Sequence, residues 1–338
     1  MSYPIPPPAS CAIPWQPSAL APVFYGYRDY GLGQNGAPVP LRVFFPSIDP
    51  SPATASILAG CGRYPAVLFA HGHCPNDAAN YQRWILIPGQ LARAGYVVVV
   101  LQLPDISTRP HPTHSAQDAM SEGLDWLRQR FEHRQVLMPP EATGVVGHSF
   151  GALHAAQFAL THSDVAAYAA LSADWHNWAG TAGLPIVGMQ QPKLLIEGGG
   201  ELFPGLTEPE WNALSPPKHR AVFKKGDHWD YLPLEEWESL PCISSRGPCP
   251  HVPAATADLL TMFFGKYVPP ELSPHLPPRI PSSLFPPRLV LSPKQKPFAT
   301  NYLVGMRALD THSDCGIALT PPAYYSSAAG FAIGLANI

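Results

Sequence analysis

The chain has 338 residues, 46% of them hydrophobic, which suits one large domain with an appendage or two domains. Its 21 Lys and Arg stand against 24 Asp and Glu, a formal charge of −3, so no basic face is offered to nucleic acid or to an anionic membrane. No apolar run approaches the roughly 20 residues a membrane-spanning helix requires.

The opening MSYPIPPPAS lacks the basic start and continuous apolar stretch of a signal peptide, which gives a cytoplasmic expectation, or a secreted one where a leader has been removed. Low lysine content and 43 prolines suit export without deciding the compartment. Cys242 and Cys249, in PCISSRGPCP, have a spacing that a small disulfide closes, whereas Cys11, Cys61, Cys74 and Cys315 show no telling pattern. No CxxC or His/Cys cluster marks a metal site.

Residues 1–21 form a Pro-rich arm. Pro22 to Tyr30 and Val39 to Phe45 read as strands joined by a turn at Gln34-Asn35-Gly36, because β-branched and aromatic residues flank an Asn-Gly signal. After a small-residue loop, Tyr64 to Ala70 (YPAVLFA) is a continuous apolar run of the kind buried on both faces of a parallel sheet. A helix from about Asn76 to Ala94, interrupted at Pro88-Gly89 and stopped by Gly95, leads to a second central strand, Tyr96 to Leu101. Met120, Leu124, Leu127 and Phe131 mark one face of a helix over Ser115 to Phe131. Val165 to Leu171, Lys193 to Glu197 and the short Ala221 to Lys224 continue the strands, and Pro253 to Tyr267 is a closing amphipathic helix.

Strand alternating with helix implies α/β architecture with a mostly parallel sheet flanked by helices. Pro269 to Pro293 is too dense in proline for helix or central strand. Residues 294–338 carry two candidate strands, Asn301 to Met306 and Ile317 to Thr320, and no catalytic grouping. The chain thus divides into the arm 1–21, a domain over 22–268 and an extension over 269–338.

The stretch around which the rest is organised is Gly144 to Ala156, GVVGHSFGALHAA. A short apolar run meets the pentad Gly147-His148-Ser149-Phe150-Gly151, and an Ala-rich helical segment follows at once. A Gly-Ser turn explains five such residues alone; strand before and helix after favour a nucleophile elbow, with Ser149 at the apex of a strained turn that its small neighbours permit.

From about Pro22 to Tyr267 the chain resembles the α/β-hydrolase superfamily, on the segments YPAVLFAHG, GVVGHSFGALHAA, ALSADWHNW, QPKLLIEGGGELFPG and GDHWDYL. Within it, the chain is similar to the lidless esterases that include bacterial cutinases and polyester hydrolases, platelet-activating-factor acetylhydrolases and dienelactone hydrolases. The resemblance implies an α/β-hydrolase fold without a large cap, no cofactor, and a triad in the chain order Ser, acid, His. Ser149 is then the nucleophile and His228, in KKGDHWDYL, the base. Glu201, past the strand KLLIE, stands where the family usually carries Asp, and Asp174, after the preceding strand, is the alternative acid. Asp227 and Asp230 flank the base too closely to be its usual orienting group.

Two oxyanion donors are implied, the backbone N–H of Phe150 and that of His73 in the His71-Gly72-His73 turn. Trp175, Trp178 and His148 are the substrate-binding candidates, the two indoles as an apolar wall. Roughly twenty residues separate the strands ending at Leu171 and starting at Lys193, too few for a helical cap, so a shallow, open cleft is expected. The implied activity is hydrolysis of small or polymeric carboxylic esters. Acyl transfer, amide cleavage or a catalytically silent binding scaffold are the competing outcomes.

Overall fold

The computed structural model describes residues 24–59, 62–73, 79–104, 113–178, 186–200, 205–223, 226–232, 252–272 and 317–320. The expected hairpin forms, with β1 (Phe24–Tyr30) antiparallel to β2 (Leu41–Ser47) across a short turn at Gln34–Gly36. β2 runs antiparallel to β5 (Val97–Leu101), and inward from there all pairs are parallel: β5 with β4 (Ala66–Ala70), then β6 (Thr143–His148), β7 (Val165–Leu171), β8 (Lys193–Gly198) and β9 (Lys218–Phe223). The sheet of nine strands has the order β1-β2-β5-β4-β6-β7-β8-β9-β11.

Its last member, β11 (Ile317–Thr320), is one of the two strands anticipated in the extension and pairs antiparallel with β9. The other, Asn301 to Met306, lies outside the described residues, as does the pair Cys242 and Cys249. β3 (Gly62–Arg63) and β10 (Glu271–Leu272) form a separate two-stranded pair.

The parallel strands read as unbroken apolar runs because both faces are covered. Leu68, Val99, Leu101, Val145, Tyr168 and Leu195 face one layer, with α3 (Thr113–Gln129) and α4 (Phe150–Thr161). Phe69, Val98, Val100, Val146, Leu171 and Ile196 face the other, with α2 (Leu86–Arg93) and α7 (Val252–Tyr267). Successive residues of a strand thus feed opposite cores, as the period of two demands.

The helix expected to break at Pro88-Gly89 breaks earlier. α1 (Asn80–Arg83) ends at Trp84, and α2 runs straight through Pro88. Pro88 occupies the third position of α2, where a backbone N–H has no intrahelical acceptor, so its missing hydrogen costs nothing. Gly95 stops α2 as expected. Its φ is 99°, its N–H bonds the Ala92 carbonyl at 3.0 Å, and the Tyr96 N–H reaches the Leu91 carbonyl at 3.2 Å, closing a Schellman motif. Two short helices were not anticipated, α5 (Trp175–Trp178) and α6 (Glu208–Ala213); the second starts at a capping box between Thr207 and Glu210.

Candidate active site

The chain visits β4 and β5 out of spatial order, then crosses to β6 on the far side of β4. A crevice opens at the carboxyl ends of strands where connections diverge in this way. The loops leaving β4, β6, β7 and β9 carry His71 to His73, Ser149, Asp174 and His228 respectively. Four of the sequence-derived residues, His73, Ser149, Asp174 and His228, are therefore delivered to the carboxyl-end edge of the sheet by parallel strands.

Ser149 has φ 54° and ψ −127°, a conformation that only a tight surrounding structure maintains in a non-glycine residue. Two glycines make the turn possible. A Cβ on Gly147 would lie 2.4 Å from the Gly151 carbonyl oxygen, and one on Gly151 would lie 2.2 Å from the carbonyl oxygen of His71. The Ser149 N–H donates to the Leu171 carbonyl at 2.9 Å, which holds the apex against β7. Ser149 Oγ then sits 2.8 Å from His228 Nε2, within range for proton transfer, across 79 positions of sequence.

The pair is buried, with Ser149 4% and His228 5% exposed. Aromatic rings close around it: the Trp229 centroid is 5.3 Å from that of His228, and His73 and Phe150 meet edge to face at 6.2 Å. The loop bearing His228 is built from its own polar groups. Asp227 accepts the His228 N–H at 2.6 Å, Asp230 accepts the Asp227 N–H at 2.7 Å, and the Gly226 carbonyl accepts from Gly200 at 3.0 Å. Asp227 and Asp230 thus shape the loop.

On the opposite side, His71 fixes the turn that carries His73. Its Nε2 accepts the Leu103 N–H at 3.0 Å, so Nδ1 carries the proton and donates to the Gly72 carbonyl at 2.8 Å. Asn80 donates to the same carbonyl at 3.0 Å. The backbone from His71 to His73 is held rigid next to Phe150, the first residue of α4, where N–H groups have no helical partner.

The acid candidates are placed unequally. Asp174 is 2% exposed and follows Ser172, whose φ of 42° makes it, with Asn35 and Ser149, one of three non-glycine residues of positive φ among the described residues. Glu201 lies outside the described residues. The ends of its loop are clamped by Glu197, which accepts from Arg220 Nε at 2.8 Å and from the Leu206 N–H at 3.2 Å.

The substrate-binding candidates also separate. Trp175 is 1% exposed and packs in the core layer with Trp211 and Leu206, so it presents no wall to solvent. His148 is fully buried, with its Nε2 2.6 Å from the carbonyl oxygen of His228. The side chain of Trp178 is outside the described set. Sequence reasoning missed His71 and Tyr231. The Tyr231 hydroxyl accepts from Ser172 Oγ at 2.7 Å and lies 3.4 Å from the Ile196 carbonyl, tying the loop of His228 to β7 and β8.

Among the described residues there is no group of three metal-ligating side chains, and no helix is long and apolar enough to cross a membrane. The family described as alpha/beta hydrolase fold matches residues 65–232, the span that contains Ser149 and His228. Comparison with curated proteins gave no match. The chain has the α/β-hydrolase fold, and the match supports that superfamily, whose members are mostly hydrolases.

Proposed function

We propose that the protein is a serine hydrolase of carboxylic esters. The 2.8 Å contact between Ser149 Oγ and His228 Nε2, at a strained strand-to-helix turn, carries the reading. A serine hydroxyl is a weak nucleophile near neutral pH and needs a base within hydrogen-bond reach.

In the proposed cycle His228 Nε2 takes the Ser149 proton as Oγ attacks the ester carbonyl. The developing oxyanion is met by the N–H groups of Phe150 and His73. His228 returns the proton to the departing alcohol, and water resolves the acyl-enzyme by the same steps in reverse. Glu201, with Asp174 as its alternative, orients and supports the imidazolium. No cofactor is required. The short connection between β7 and β8 favours an open cleft that takes small, aromatic or polymeric esters of the kind cutinase-like enzymes take.

The test joins a fluorophosphonate probe to an ester panel. Stoichiometric labelling at Ser149 and turnover of p-nitrophenyl esters support the proposal. An unlabelled Ser149 makes the chain a silent binding scaffold, and preference for amides or for acyl acceptors other than water moves it to amidase or transferase chemistry.

A further inference from the structure

His148 immediately precedes the nucleophile, and its ring is fully buried. A carbonyl only accepts, so the 2.6 Å contact has His148 Nε2–H donating to the His228 main-chain oxygen, which fixes the neutral Nε2–H tautomer. Burial, with His228 adding to it, holds the ring well below the usual imidazole range, in keeping with that neutral form. Nδ1 has no hydrogen-bond partner among the described residues. A core that only needed filling would be better served by an apolar ring, because a buried nitrogen without a partner is destabilising.

The ring is also immobile. Trp84 and Trp229 centroids lie 5.0 Å away and Tyr231 at 5.5 Å. Against Gly72 there is no room for a side chain, since a Cβ there would come within 2.5 Å of Nδ1 and 3.0 Å of Ser149 Cβ. One rigid imidazole thus touches all three catalytic elements: it adjoins the elbow, bonds the base loop and packs on the oxyanion turn.

We propose that His148 is a positioning residue that sets the reach of His228 toward Ser149, by tying the His228 main chain to β6 through its Nε2–H. The proposal rests on the esterase reading above. The tether runs beside the Ser149–His228 hydrogen bond and persists while that bond is broken and remade in each turnover. Loss of it frees the base loop on one side, and a displacement of about 1 Å at a reacting group lowers rate by about 100-fold.

The experiment compares wild type, His148→Phe and His148→Gln. Phe keeps the planar shape without a donor, and Gln returns an amide N–H near the Nε2 position. For His148→Phe the expectation is a fall of about 100-fold in kcat and in the rate of fluorophosphonate labelling, with KM within about twofold and the melting temperature retained. His148→Gln should regain at least about tenfold of that loss. In histidine-15N-labelled wild type, His148 should show the Nε2–H tautomer across the active pH range.

A His148→Phe variant within about threefold of wild type overturns the proposal. So does a Gln variant no better than Phe, or an Nδ1–H tautomer in the wild-type protein, a readout independent of whether any variant folds. Failure of the wild-type chain itself to label brings down the esterase reading and the proposal with it; normal wild-type labelling beside an indifferent His148→Phe overturns the proposal alone.

Discussion

The two ends of the parallel strands bury polar groups in opposite ways. At the amino ends, Lys193 and Lys218 face each other across β8 and β9, and each ammonium is met by carbonyls: Lys193 Nζ by Ser215 at 2.7 Å, Lys218 Nζ by Trp211 at 2.6 Å and Asn212 at 3.3 Å. Burial and the neighbouring Lys218 bring the Lys193 ammonium down to about 8. At the carboxyl ends, Ser149 and Ser172 stand side by side in left-handed conformations, and the Nδ1 of His148 has no hydrogen-bond partner among the described residues. Two serines of positive φ thus flank the place where chemistry is proposed, whereas the two facing ammonium groups at the other end are held by carbonyls.

The sharpest way to break this contrast is at Ser149. Ser149→Ala should lower ester turnover by at least about 10⁴-fold with little change in melting temperature, and a remaining acylation burst would contradict the assignment. Next comes the acid: Glu201→Gln should lose about 10³-fold or more and far exceed Asp174→Asn, with the reverse ranking moving the role to Asp174. Trp175 tests whether the carboxyl end also holds purely structural groups. Buried in the core, it should cost about 3–5 kcal/mol when changed to Ala, measured by urea unfolding, with ester chain-length selectivity preserved by the folded fraction.

The smallest effect belongs near the amino ends. Burial, with Lys266 and Lys193 adding to it, lowers the His219 imidazole to about 4, and its Nε2 lies 2.9 Å from the Tyr267 hydroxyl. Its native form is neutral while the unfolded chain protonates near 6.5, so its stabilising contribution is complete above about pH 6.5 and is lost as pH falls toward 4. His219→Phe should flatten the stability profile over that window by up to about 3 kcal/mol, leaving turnover at pH 8 unchanged. A wild-type slope in the variant would remove His219 from the account.

Much of this molecule was legible in the chain. YPAVLFA and YVVVVL announce central strands because apolar residues on both faces leave no polar alternation to misread. The elbow is readable since only small residues fit where Gly147 and Gly151 meet backbone. The capping box Thr207 to Glu210 was present and unused, so α6 was missed. Pro88 was misjudged because a proline disrupts a helix only past its first turn. Two-residue strands such as β3 and β10 have no period to detect. His71 and His148 act on main-chain atoms 32 and 80 positions away, and such partners leave no trace in local spacing.

β11 leaves one further mark. By zipping onto β9, a short piece of the chain's last quarter occupies hydrogen-bonding groups that would otherwise form an open rim on the largest sheet. Bare rims recruit strands from other molecules. A protein shortened after residue 272 should therefore keep its catalytic geometry yet self-associate with rising concentration, so the tail's contribution is felt in colloidal behaviour before it is felt in rate.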